Sequence, residues 1–170
     1  MLEPDNTRAE KIVYQKKFTP LSGKDGMGNS LPHLLETDDL KQALQNFFAT
    51  LKSGGTLILH LLNYCRILQR RERIIGVTRD TEGREFIRFY DFSEKSKIVF
   101  NLLTIDWRGN SSGQNPATSL RGVELYPYTE EELKSALAAT GFSGIQSYGD
   151  LNFSPFEADS SGTLLLLAKR

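Results

Sequence analysis

Residues 53–64 read SGGTLILHLLNY, and this stretch decides the fold. Two adjacent glycines break whatever precedes them. The near-continuous apolar run 56–62 that follows suits a strand covered on both faces, as in a parallel sheet. A helix ends just before it. Leu40, Leu44, Phe47, Phe48 and Leu51 recur at helical spacing and give one apolar face. Thr37 can cap this helix, Asp38 and Asp39 favour its first turn, and Gly54 or Gly55 supplies the left-handed stop. Helix, glycine turn and buried strand together predict an α/β sheet rather than a bundle or an all-β barrel.

Outward from this unit the pattern changes. Residues 63–73 (NYCRILQRRER) predict a helix leaving the strand. Residues 85–92 (EFIRFYDF) and 97–107 (KIVFNLLTIDW) are aromatic and β-branched around a polar turn, which predicts an antiparallel hairpin, with 119–126 returning as a third strand. The Gly/Ser/Asn-rich residues 108–118 predict a mobile loop. A second helix spans 130–140: Thr129 and Glu132 form a capping box, Tyr128 staples onto Leu133, and Gly141 stops it. Strands are expected at 143–150 and, strongly apolar, at 162–169. Upstream, 11–18 (KIVYQKKF) predicts a short strand and 22–29 (SGKDGMGN) a loop.

Composition narrows the function classes. The 170 residues carry 21 Lys+Arg, 21 Asp+Glu and one Cys, with 39% hydrophobic residues. This fills one core and leaves no net charge to draw nucleic acid or anionic lipid. A single Cys and two His argue against a disulfide framework or a zinc site, and no metal site is expected. No apolar stretch has membrane-spanning length, and the polar N-terminus is no secretory signal, so no membrane is expected and a cytoplasmic location is. His60 reads as a core histidine, Cys65 as a small partly buried residue, and Arg66, Arg70, Arg71 and Arg73 as solvated helix surface.

The segment Gly28, Asn29, Ser30, Leu31, Pro32, His33, Leu34 carries the chemistry. Followed by a helix, a Ser-Gly-Gly turn, an apolar strand ending in Asn63-Tyr64, an inserted hairpin and Tyr126-Pro127, it resembles the class I S-adenosylmethionine-dependent methyltransferases. It is most similar to the glycine/sarcosine N-methyltransferase group, with its Gly-Asn-Ser-x-x-His-Leu turn. The resemblance covers roughly residues 27–170 and leaves 1–26 as a separate N-terminal segment. It implies a partial Rossmann-like methyltransferase sheet with an antiparallel β insertion, binding S-adenosyl-L-methionine and a small-molecule amine. By the resemblance, Gly28, Asn29, Ser30 and His33 lie at the cofactor, with His33 also available to take a proton. Asn29, Asn63, Tyr64, Trp107 and Tyr126 lie around the substrate. Aromatic rings there attract a sulfonium or ammonium cation.

Three departures accompany the resemblance. No Gly-x-Gly cluster follows a strand upstream, and no acidic residue ends a second strand to bind ribose hydroxyls. The apolar strand expected just before Gly28 is replaced by SGKDGM. Leu62 occupies the position of the arginine that clamps a glycine carboxylate. The first two imply a truncated, C-terminal portion, with association through an unpaired sheet edge, as a homo-oligomer or otherwise. The alternative is a non-catalytic remnant acting as a binding or dimerisation module.

Overall fold

The computed structural model describes residues 11–13 (backbone only), 29–92, 97–108 and 115–170. Gly28, most of the 11–18 strand and most of the 108–118 loop lie outside the described residues.

The described strands form two sheets. The first contains β1 (Lys11–Val13), β2 (Thr56–Leu62), β7 (Ser143–Tyr148) and β8 (Thr163–Lys169), in the order β1-β2-β8-β7. The second contains β3 (Ile74–Arg79), β4 (Arg84–Phe92), β5 (Ile98–Asp106) and β6 (Ala117–Leu125), in that order and wholly antiparallel. The expectation of a parallel setting for residues 56–62 needs correcting. Among the described residues only Lys11–Val13 runs parallel to β2, against Thr56–Ile58, whereas β8 pairs antiparallel with β2 along its whole length. Burial also alternates: Leu57, Leu59 and Leu61 are buried, while Ile58, His60 and Leu62 are only partly covered. The continuous apolar run reflects one deep face and one shallow one.

The deep face is covered by two helices. These are α1 (Thr37–Thr50) and α3 (Glu130–Thr140), and their Leu44, Leu133 and Leu137 are fully buried against Leu57, Leu164 and Leu166. Phe48 meets Phe142 edge-on at 5.0 Å between centroids. The cap position of α1 is Glu36, which makes no side-chain cap bond, rather than Thr37, which is the first helical residue. Asp38 and Asp39 do lie in the first turn. Gly54, with φ at 79°, takes the left-handed turn after the helix. At Gly55 a Cβ would stand 2.9 Å from the Lys52 carbonyl oxygen. The α3 bounds and its capping box are as the sequence predicts, with Gly141 left-handed at φ 107°. Replacing Thr129 by Ala leaves the Glu132 N–H without its acceptor. The expected cost is about 1 kcal/mol, read as a lower denaturation midpoint with unchanged slope.

The inserted sheet has one more strand than expected. Residues 74–79 pair with β4, with a bulge between Ile74 and Gly76. Its inner side, at Tyr90, Ile98 and Leu125, packs on Tyr64 and Ile67, forming a second apolar cluster. Tyr64 and Ile67 belong to a short helix, α2 (Tyr64–Arg70). Thus α2 joins the two sheets.

Candidate functional site

The carboxyl end of β2 is where the chemistry-bearing residues converge. In an open α/β sheet the crevice outside the strand carboxyl ends receives ligands. Asn29 stands at that end: its Oδ1 accepts from the Leu62 N–H at 3.3 Å, and its Nδ2 donates to the Tyr64 hydroxyl. Ser30 follows, buried, and begins a single 3-10 turn at Leu31–His33 with Pro32 in its first positions. Its hydroxyl makes no side-chain cap bond and has no hydrogen-bond partner among the described residues. A buried hydroxyl without a partner costs free energy, so a polar group facing Ser30 would be stabilising. His33 is half-buried in the same turn.

Tyr126 is brought to this turn by the backbone. Its N–H donates to the Pro32 carbonyl at 2.7 Å, and its hydroxyl donates to Glu132 Oε1 at 2.9 Å. The Glu132 carboxylate beside it raises the phenol pKa above its ordinary value. The next tyrosine, Tyr128, lies against Tyr126 with the rings tilted by 42° and 4.5 Å between centroids, and it donates its hydroxyl to the Leu34 carbonyl at 2.6 Å. The Ser30–Leu34 segment is therefore held against the start of α3 by two tyrosines.

Other sequence candidates fall elsewhere. Asn63 is buried and its amide is occupied inside the chain. Its Oδ1 accepts from the Arg66 N–H as the α2 cap, and its Nδ2 donates to the carbonyls of Ala158 and Ser161, both at 2.9 Å. It pins a loop, and no polar atom is left to reach substrate. Tyr64 is 1% exposed, so its ring sits behind Asn29 instead of lining the crevice. Trp107 follows the last residue of β5, nine residues beyond Ile98, which is about 30 Å of extended chain. There it is exposed, with Nε1 donating to Glu85 Oε2 at 3.2 Å. The loose aromatic correspondence placed it at the reacting centre; the length of the inserted strand carries it away. Among the described residues no His/Cys/Asp/Glu group could hold a metal.

Sequence reasoning missed Tyr90, whose ring is buried edge-on against that of Tyr64 at 6.4 Å between centroids. It reads as one more aromatic in a strand of aromatics, and nothing in the local pattern marks its hydroxyl. Burial is the main force pushing both phenols upward, Tyr90 to about 12, so both stay neutral across the ordinary pH range.

No family model matches the chain. Among curated proteins it is 26% identical over 124 residues to the glycine/sarcosine N-methyltransferase of Aphanothece halophytica, covering 73% of this chain and 42% of that one. It is 25% identical over 135 residues to the glycine/sarcosine/dimethylglycine N-methyltransferase of Actinopolyspora halophila, covering 73% and 20%. The chain thus spans less than half the length of either. Among solved structures, the CcbJ methyltransferase of Streptomyces caelestis superposes with a TM-score of 0.65 at 17% identity, covering 84% of this chain and 57% of that one. The separate sheet carrying β8 between β2 and β7, the inserted antiparallel sheet and these likenesses agree. In sequence, then, the chain is similar to glycine/sarcosine N-methyltransferases, and its fold is that of the Rossmann-like S-adenosylmethionine-dependent methyltransferases.

Proposed function

We propose that residues 29–170 form the substrate-side portion of an S-adenosylmethionine-dependent methyltransferase that methylates the amine of a small molecule. The observation that carries this reading is the Asn29–Ser30 turn at the carboxyl end of β2. One amide oxygen is anchored on Leu62, and one buried hydroxyl is unspent. The residues fit the cofactor in part: Asn29, Ser30 and His33 offer donors and acceptors suited to its amino-acid end. A glycine-rich cradle for the nucleotide end is not found among the described residues. When bound, S-adenosylmethionine supplies a methyl group already activated on a sulfonium. The chain's own part is then alignment and the exclusion of water. Asn29 orients the amine, Ser30 holds the neighbouring polar group, and a ring nitrogen of His33 takes the proton the amine gives up. Leu62 lines the strand end with an apolar side chain, which disfavours a substrate carboxylate there and so disfavours glycine itself.

Calorimetry of the purified chain with S-adenosylmethionine and its demethylated product tests the reading. A saturable heat, weakened about tenfold in Ser30→Ala and in Asn29→Ala, is the expected result. Absence of any heat at millimolar cofactor would remove the proposal for this chain. Transfer of labelled methyl to primary and secondary amines, but not to matched alcohols, decides the acceptor.

One observation favours a second reading, a dimerisation module without catalysis. On the outer face of the inserted sheet Val77, Ile87, Leu103 and Leu120 oppose one another across all four strands, and the two edge residues are each 61% exposed. Such a row is suited to packing against a second sheet. In that case a Val77→Lys, Leu120→Lys double variant changes the sedimentation coefficient and leaves cofactor binding at wild-type strength.

A further inference from the structure

The inner side of the inserted sheet continues past its apolar cluster. Side chains on one face of a strand recur at every second residue. From Tyr90 on β4 the same face therefore runs on to Arg88, and from Leu125 on β6 it runs on to Val123 and Arg121. Covering falls away in that direction: Leu125 is 3% exposed, Val123 is 40% exposed, and Arg121 is exposed. This face borders the crevice. Its Tyr90 packs edge-on against Tyr64, which stands behind Asn29, and β6 runs beside the Leu31–His33 turn.

Arg88 and Arg121 share one cross-strand row. Both are in register with Leu102, which stands between them on β5, so their Cα atoms are about 10 Å apart, two strand spacings. Among the described residues neither guanidinium meets a carboxylate, and the one side-chain bond of Arg88 runs from Nη1 to the Thr78 hydroxyl at 2.9 Å. Every other described arginine is engaged by a carboxylate, a ring face or a backbone carbonyl. Two cations on one row repel each other, and an anion held between them makes both contacts attractive.

Arg88 also lines a cavity of about 320 Å³, together with Thr78, Phe86 and Arg84 and with Asp80 and Glu82 of the β3–β4 turn. That volume lies in the range of small-molecule sites. The carboxylates there are already engaged, Asp80 by Arg84 at 2.7 Å and Glu82 by Arg84 and Arg108, both at 3.0 Å. They leave the charge of Arg88 uncompensated. One guanidinium fork matches one carboxylate, whereas two forks closing from opposite sides match a tetrahedral phosphate.

We propose that Arg88 and Arg121 form an anion-recognition site for the substrate, taking a phosphate carried at the end remote from the amine. The proposal rests on the reading of Asn29 as the group that meets the amine, and it names the substrate class: amines bearing a distant phosphate. Leu62 offers no cation beside Asn29, so an anionic group has to be met further out.

The test uses the full chain without cofactor and inorganic phosphate as the probe, followed by NMR at the guanidinium Nε–H groups and the Leu102 backbone amide. Saturable shifts at Arg88 and Arg121 are expected, with the dissociation constant raised about tenfold in Arg88→Gln and likewise in Arg121→Gln. Arg73→Gln removes a cation already paired with Asp91 and leaves the affinity at wild-type strength. Acetate gives no saturable shift at equal concentration. An aminohexyl phosphate binds more tightly than the matched aminohexanol, and both Arg88→Gln and Arg121→Gln abolish the difference. Phosphate shifts scattered over other basic residues, an affinity unchanged in both variants, acetate binding as strong as phosphate, or no gain from the aminohexyl phosphate overturns the proposal. Because no cofactor enters these titrations, failure of cofactor binding and failure of the anion site are read separately.

Discussion

Replacing Asn63 by Ala is expected to destabilise the chain by about 2–3 kcal/mol, the sum of a lost helix cap and of partly buried carbonyls left without donors. The cap bond to the Arg66 N–H accounts for about 1 kcal/mol. The remainder follows from the Ala158 and Ser161 carbonyls, both bonded to the same Asn63 nitrogen. The loop they belong to is also gripped by Arg66, which donates to the Ser160 carbonyl at 3.3 Å, and by Arg70, which donates to the Asp159 carbonyl. Those two contacts are exposed and contribute less. For a chain of this size the thermal midpoint falls by roughly 2–4 °C per kcal/mol, and the fall should therefore lie near 10 °C. Asn63→Asp keeps the cap acceptor and loses the donor, so it separates the two parts. If Asn63→Ala proves as stable as the parent, the loop contacts are not part of the folded state's energetics.

Leu166→Ala is expected to cost about 3–5 kcal/mol, the largest effect of any single truncation considered. Leu166 is fully buried in the central strand β8, opposite Leu59 on one side and Ser147 on the other. Its neighbours Leu164 and Leu57 are equally enclosed, and the helices α1 and α3 press on the same face. A cavity there is bounded by two strands already hydrogen-bonded on both edges, so the walls have little room to relax. Chemical denaturation with an unchanged slope measures it. A loss below about 1 kcal/mol would mean that the helices collapse into the space, and that the two-layer packing is looser than the burial indicates.

What the sequence discloses and what it conceals differ by range. The bounds of α3, its capping box and its glycine stop are written in consecutive residues, and the structure returns them. The hairpin of β4 and β5 is likewise local, and it appears within a residue or two of the expected bounds. β3 escaped notice because it follows directly on the charged run Arg70–Arg73 and contains a glycine and a bulge, which break alternation. The pairing of β2 with β8 joins residues a hundred positions apart, so the apolar run at 56–62 discloses burial without disclosing its partner or direction. In the site, Asn29, Ser30 and Tyr126 were legible as polar and aromatic groups near a turn. That Asn63 is spent on a loop, and that Tyr64 stands behind Asn29, depends on side-chain directions which spacing does not encode. Trp107 shows the same limit at longer range, since a one-dimensional correspondence does not record how far an inserted strand travels.

The position of β8 has a consequence for how the chain is made. It is last in sequence order and lies between β2 and β7. During synthesis, then, everything from residue 56 to residue 148 emerges while the slot between those strands is still open, with two edges able to pair wrongly. The inserted sheet, whose strands are neighbours in sequence, has no such delay and is able to fold as it appears. A nascent chain arrested before residue 163 should therefore hold a finished antiparallel sheet on an unfinished body. The crevice around Asn29, anchored on β2, would acquire its shape only when the final strand slides into place.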